Sequence, residues 1–226
     1  MERVITYIGG FNLYYGIKSR YAGQYRWLDL LRLSELFTKG SQHVEKVKYF
    51  TADILADNRK MADQRTYLYA LENHCGDRLE IIKGKYLKKE ILCPTHHDAC
   101  RHPGFSPCKN YHHRDCDGIL STLEEKMTDV NIATSMLVDA FQDHFDTAFL
   151  ISADSDLLPP IRVITQLFPQ KRIIILFPPG RESYQMEHSV RQGDCRRIKE
   201  MHLRGASLPQ TITTANGSVL HKPLAW

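Results

Sequence analysis

Asp154 and Asp156 lie in the stretch Ser152-Ala153-Asp154-Ser155-Asp156, between the apolar run Thr147–Ile151 and the segment Leu157-Leu158-Pro159-Pro160-Ile161. A short apolar run followed by helix-opening residues reads as a buried strand whose carboxyl end carries both acids. In an open parallel sheet the ligand crevice lies outside the carboxyl ends of the strands, so both acids are expected at its rim. Carboxylates grouped there suit a divalent cation with oxygen ligands, such as Mg²⁺ or Mn²⁺. The plainer role is that one of them caps the following helix, as Asp commonly does. The pair alone does not choose between these roles.

A third acid, Asp129, falls in Glu124-Glu125-Lys126-Met127-Thr128-Asp129-Val130-Asn131-Ile132-Ala133. Ile132, Ala133, Met136 and Ala140 follow it at steps of three, four, seven and eleven, so on a helix Asp129 heads the face that packs on the sheet. A salt-bridged acid at the end of a buried stripe is the alternative. Lys126 stands three residues before it. Near the amino end, Tyr7-Ile8-Gly9-Gly10-Phe11-Asn12 closes a strand with paired glycines. These match neither the dinucleotide fingerprint nor a P-loop, which needs a following Lys-Ser/Thr. Asn12 is a candidate to orient a metal-bound water or a substrate phosphate, with a helix cap as its ordinary role.

The elements that must position these residues alternate. Strands are predicted over 3–8, 44–52, 79–87, 145–151, 172–177 and 196–201. Helices are predicted from 11 to 19, 27 to 38, 58 to 74, 122 to 142, 157 to 168 and 182 to 189. Such alternation implies an α/β fold with a parallel sheet covered on both faces. Residues 1–202 are expected to form this domain and 203–226 an irregular tail, since no periodicity persists after Leu203.

Three segments together, Tyr7–Tyr15, Glu125–Ile132 and Ile151–Leu157, resemble the NYN domain family and its LabA-like branch, within the PIN-like nuclease superfamily. The resemblance covers most of residues 1–200, with the motifs in the family order. It implies a PIN-like parallel sheet flanked by helices and a metal-dependent ribonuclease acting on RNA, with Mg²⁺ or Mn²⁺ held by a ring of acids. Carried over residue by residue, it implies metal-site roles for Asp129, Asp154 and Asp156. Asn12 falls on the family's Asn, and Lys126 on a commonly basic position beside the helix acid. Gly9 stands where the family usually has an Asp, so a catalytic carboxylate is missing here. Such chemistry needs an activated water and stabilised phosphoryl oxygens, which divalent ions supply, and losing one of four acids weakens both. The resemblance therefore implies an endoribonuclease weakened or silenced at Gly9. The rival readings are an inactive NYN domain that binds RNA or a protein, and a phosphatase or nucleotide-cleaving enzyme.

Between the third strand and the long helix, Cys93, Cys100, Cys108 and Cys116 fall at spacings of seven, eight and eight, interleaved with His96, His97, His102, His112 and His113. Prolines 94, 103 and 107 exclude a regular helix. The segment, 91–121, reads as an insertion too small to bury a core. Structural Zn²⁺ held by the four cysteines, with His96 or His112 as alternative ligands, is the expectation, although these spacings are wider than those of familiar zinc ribbons. Lys85, Lys88 and Lys89 precede it, and Arg101 and Arg114 lie within it. With nearby tyrosines they form a candidate strip for single-stranded RNA, against the alternative of a lysine-guarded strand edge.

The 226 residues are 42% hydrophobic, ample for a core, and the formal net charge of +4 is compatible with a polyanionic partner. No apolar run approaches the roughly 20 residues needed to span a bilayer. The amino end enters a strand without a signal-peptide core, so a cytoplasmic setting is expected, with RNA as partner, no membrane, and self-association left open.

Overall fold

The computed structural model describes residues 1–55, 57–92 and 119–224, with the backbone alone at 88–92 and 119–124. From the amino end the chain forms β1 (Glu2–Gly9), α1 (Gly10–Tyr21), α2 (Leu30–Glu35), β2 (Gln42–Thr51), α3 (Asn58–Cys75) and β3 (Leu79–Lys83). Then come β4 (Lys85–Leu92), β5 (Ile119–Lys126), α4 (Thr128–Phe141), β6 (Thr147–Ile151), α5 (Leu158–Leu167), β7 (Arg172–Phe177), α6 (Tyr184–Glu187) and β8 (Cys195–Arg197). Last are α7 (Glu200–Gly205), β9 (Thr211–Thr213) and β10 (Val219–His221).

Six strands pair in parallel in the order β3-β2-β1-β6-β7-β8. Every residue of β6 is buried, and so is β7 beyond Arg172, because helices cover both faces. One face packs Val4, Ile8, Phe149 and Leu176 against α1, α2, α3 and α7. The other packs Ile5, Tyr7, Leu150 and Ile175 against α4 and α5. The chain winds outward from β1 to β3 on one side, then returns to β6 on the other. The switch point between β1 and β6 opens a crevice at their carboxyl ends, where such sheets bind ligands.

Five expected elements take other forms. The strand predicted over 79–87 breaks at Gly84, and β4 leaves the sheet to pair antiparallel with β5, Lys85 opposite Lys126. A side chain at 84 would sit 2.6 Å from the Lys126 carbonyl oxygen and 2.7 Å from Thr128 Oγ1, so only glycine permits this crossing. The helix predicted from 122 therefore begins only at Thr128. Residues 119–126 are strand, and Met127 turns the chain with φ 79°. The ends of the chain differ too. The strand expected over 196–201 is β8 followed by the short helix α7, and the expected helices 27–38 and 182–189 shrink to α2 and α6.

The tail from 203 is not irregular. β9 and β10 form a hairpin, and Leu203, Ala206, Leu208 and Ile212 are buried in the face that holds α2 and α3. Trp27 Nε1 donates to the Pro209 carbonyl at 2.8 Å. Among the described residues no helix is long and apolar enough to cross a membrane.

One buried polar cluster ties α4 to the sheet. The Asp139 carboxylate, 3% exposed, accepts from the Tyr7 hydroxyl at 2.7 Å and lies 2.8 Å from Lys48 Nζ, with His144 Nδ1 at 3.1 Å. Burial alone would push the Asp139 carboxyl up, but bonds from Lys48, Tyr7 and His144 outweigh it and hold it below the usual carboxylate range. A depressed carboxyl stabilises the fold above its unfolded value near pH 4 and loses that contribution as pH falls through its folded value. Asp139→Asn would leave Lys48 without its buried partner, and should cost about 3 kcal/mol in urea unfolding at pH 7. The difference from the unaltered chain should narrow below about pH 4.

Candidate active site

Four carboxylates reach the crevice from three segments. Asp129 stands in the first turn of α4, a register set by Ile132, Met136 and Ala140, all fully buried against the sheet. Glu125 comes from β5, not from the helix where it was expected, and its Oε1 accepts from the Thr128 amide at 3.2 Å. Asp154 and Asp156 follow β6, the strand at the switch point. Asp154 accepts from the Asp156 amide at 3.0 Å, capping a 3₁₀ turn over Ser155–Leu157, so its capping role is real. Asn12 lies in the first turn of α1, and its Oδ1 accepts from the Ala153 amide at 3.4 Å, tying β1's helix to the loop that carries the acids.

The electrostatics follow from this convergence. The Asp129 carboxyl is pushed up to about 6, first by burial and then by the negative charges of Asp154, Glu125 and Asp156. Asp154, Glu125 and Asp156 thus lie near enough to repel charge on Asp129. The Thr128 hydroxyl, next to Asp129, is buried at the Gly84 crossing without a hydrogen-bond partner among the described atoms. All these donors are hard oxygens, the kind a divalent ion of the Mg²⁺ type takes. Among the described residues, no three Asp, Glu, His or Cys side chains converge tightly enough to hold one ion between them. Mg²⁺ keeps several waters and needs only one or two direct carboxylates, so this donor set suits it in type.

Gly9 ends β1 with φ −71° and ψ 100°, backbone that any residue adopts. A Cβ there would meet the Ile151 carbonyl oxygen at 3.5 Å and Asn12 Cβ and Ile132 Cδ1 at 3.7 Å, all ordinary contacts. An aspartate therefore fits at Gly9 and would stand between the segments that carry the acids.

The other expected site residues fare differently. Lys126 ends β5, exposed, outside the helix. Lys85 is exposed on β4, and Lys88 and Lys89 lie on the same strand. Cys93, Cys100, Cys108, Cys116, His96, His112, Arg101 and Arg114 all lie outside the described residues. Of the remaining cysteines, Cys75 is buried and Cys195 half-buried, and both are free thiols.

A feature the motifs did not foretell lies along α1, beyond the end of β1. A cavity of about 330 Å³ lies between α1 and α3, lined by residues that include Gly10, Phe11, Tyr14, Tyr15, Tyr49 and Tyr86. Phe11 packs edge-on against Tyr86 with ring centroids 5.9 Å apart. The spacing of Phe11, Tyr14 and Tyr15 on one helix was the one signal in the sequence.

A carboxyl raised above its unfolded value near 4 weakens the fold as pH climbs through about 6, because the folded state must give up a proton it holds more tightly. In chelator-treated protein, Asp129→Asn should therefore raise the melting temperature clearly at pH 8, less at pH 5, and not at all near pH 4. A lowered melting temperature at pH 8 would show that Asp129 is instead held by a favourable partner.

Residues 3–192 match the family model described as NYN domain. A curated relative, "6-hydroxy-3-succinoylpyridine 3-monooxygenase HspA" of Pseudomonas putida (strain DSM 28022 / S16), is 28% identical over 251 aligned positions, spanning 99% of this chain and 75% of that protein. A crystal structure of a protein of unknown function from Vibrio parahaemolyticus RIMD 2210633 superposes with a TM-score of 0.55 at 16% identity, covering 88% of this chain and 94% of the other, which shows a shared fold. With a matched stretch spanning most of the chain, three motifs in order and a six-stranded parallel sheet carrying acids at its switch point, this chain belongs to the NYN domain family, whose fold is nuclease-like.

Proposed function

We propose that this chain is a metal-dependent endoribonuclease of the LabA-like branch, weakened at Gly9, acting on single-stranded RNA in the cytoplasm. The observation that carries the reading is the crowding of Asp129 by Asp154, Glu125 and Asp156 at the β1–β6 switch point. Asp129, Asp154 and Asp156 would hold Mg²⁺ or Mn²⁺ through one or two direct carboxylates and the ion's own waters, and the bound ion would lower the pKa of the attacking water and offset charge on the phosphoryl oxygens. The chain's own residues do the rest. Asn12 holds the Ala153 amide and so fixes the loop that presents Asp154. Lys85, Lys88, Lys89, Arg101 and Arg114 would meet RNA phosphates, and Lys126 stands by the acids at the end of β5.

Gly9 favours a second reading, an inactive NYN domain that binds RNA or a protein. The relative in P. putida favours a third, in which a hydroxylated pyridine carrying an acidic side chain is the substrate, as that protein's name states; the aromatic cavity beside α1 suits such a ring. Gly9→Asp should raise Mn²⁺-dependent cleavage of a single-stranded RNA at least tenfold, and Asp129→Asn in that background should abolish it. Gly9→Asp protein that binds Mn²⁺ no better and leaves RNA intact would remove the nuclease reading. Oxygen uptake with 6-hydroxy-3-succinoylpyridine and an added two-electron donor, which a monooxygenase needs to reduce the second oxygen atom to water, in protein that cleaves no RNA, would favour the third.

The segment 91–121 is proposed to hold one structural Zn²⁺ through Cys93, Cys100, Cys108 and Cys116, with His96 or His112 as substitute ligands, on the strength of its sequence alone. Elemental analysis should find about one zinc per chain and less in Cys108→Ser; full zinc retention by that variant would count against these ligands.

A further inference from the structure

The cavity between α1 and α3 differs from the crevice beside it in every chemical respect. Of its seventeen described lining residues six are aromatic, three are Lys or Arg, and none is Asp or Glu. The cations are Lys18 and Arg26 on the α1 side and Lys60 on α3. Lys18 Nζ stands 6.0 Å from the Tyr14 ring centre. Tyr14 and Tyr15 meet edge to face at 5.2 Å, and Phe11 lies against both Tyr15 and Tyr86. Rings arranged this way offer faces and edges to a planar guest. No acid lines the cavity, and although Lys60 Nζ also lies 3.3 Å from Asp57 outside the lining, the three cations favour a guest that carries negative charge.

The cavity's position ties it to the acids. Gly10 and Phe11, which line it, directly follow Gly9, whose neighbours Ile151 and Ile132 belong to the acid-bearing segments. Tyr86, on its other side, is paired across the hairpin with Glu125. A Cβ on Gly10 would come within 2.7 Å of the Phe50 carbonyl oxygen, so α1 starts hard against β2 and its aromatic first turn is fixed at the cavity mouth. One turn of helix thus separates an acidic crevice from an aromatic, cationic cavity.

We propose that this cavity binds one nucleotide of the substrate, stacking its base on Tyr14, Tyr15 and Tyr86 and placing a phosphate by Lys18 and Lys60, next to the acids that face the scissile bond. The assignment rests on the nuclease reading for its biological meaning, but the binding itself does not need cleavage. A planar ring and an anion on one short tether is what a nucleoside monophosphate presents, and stacking on an aromatic side chain contributes enough per base to detect in isolation.

The test is calorimetric titration of the full chain in EDTA, so that no metal bridges phosphate to the acids, with 5′-AMP, 5′-UMP, adenosine, ribose 5-phosphate and nicotinate as probes. Both nucleotides should bind, with adenosine and ribose 5-phosphate each about tenfold weaker, since each lacks one of the two recognised groups. Tyr14→Ala, and separately Lys18→Glu with Lys60→Glu, should weaken AMP about tenfold, while Asp129→Asn should leave it unchanged. The two lysines are exposed, so their reversal should leave the fold intact, which circular dichroism checks. Ribose 5-phosphate binding as tightly as AMP would reduce the cavity to an anion patch and overturn the assignment. So would nicotinate binding where neither nucleotide does, or AMP binding that ignores Lys18, Lys60 and Tyr14. AMP binding that follows these variants in a protein whose Gly9→Asp form cleaves no RNA would keep the cavity and lose the nuclease. RNA cleavage with an unchanged KM in the double lysine variant would do the reverse.

Discussion

Carboxylates brought together repel, and at the acids only two backbone amides, those of Thr128 and Asp156, are seen to bond to them among the described residues. The cost of crowding is visible at Asp129, whose proton is retained to about pH 6. What holds the acids is packing elsewhere. Asp129 is carried by α4, which is driven onto the sheet by Ile132, Met136 and Ala140 and fastened at its far end through Asp139, Lys48 and Tyr7. Asp154 and Asp156 follow a strand buried along its whole length at the centre of the sheet. The Asn12 bond to Ala153 fixes their loop against α1. An unfavourable arrangement of charge is therefore imposed by a favourable core, which is the usual way a site is built for something that is not part of the chain.

The adjacent glycines at the end of β1 play opposite parts. Gly10 cannot carry a side chain, because the β2 backbone passes too close, and this closeness lets α1 begin at the sheet. Gly9 has room for a side chain and an ordinary backbone conformation, so geometry does not require a glycine there. Gly10 and Gly84 are therefore required by packing, whereas at Gly9 packing leaves room for a side chain. That an acid would stand there is what the family resemblance implies, and sterics only permit it.

The parallel sheet was legible because its strands are short apolar runs between helical patterns, and buried strands leave little else to read. Asp129, Asp154 and Asp156 could be placed from the same patterns, since each stands at a boundary between elements. The β4–β5 hairpin was not legible. Glu124, Glu125 and Lys126 are good helix formers, and their strand state depends on pairing with residues about forty positions earlier, which local propensity cannot see. The β9–β10 hairpin escaped for another reason: strands of three residues carry no period, and their burial comes from docking on Trp27 and α3. The aromatic cavity is assembled from Tyr14, Tyr49, Tyr67 and Tyr86, residues of four separate segments, so only the cluster on α1 could have hinted at it.

Cavity and crevice also place different demands on any phosphate that reaches them. At the acids a phosphate is repelled, and on the proposed reading it would engage only once a divalent cation offsets the charge on Asp129 and its neighbours. Beside Lys18 and Lys60 the same group is attracted without metal, and the rings hold what is attached to it. A ligand with one anionic group should settle in the cavity alone. A polymer with successive phosphates can put one in the cavity and the next over the acids, gaining affinity from the first and reactivity at the second. If both proposals hold, the neighbouring charges would favour a chain of linked anions over an isolated one, and the cavity would be the part that binds before metal arrives.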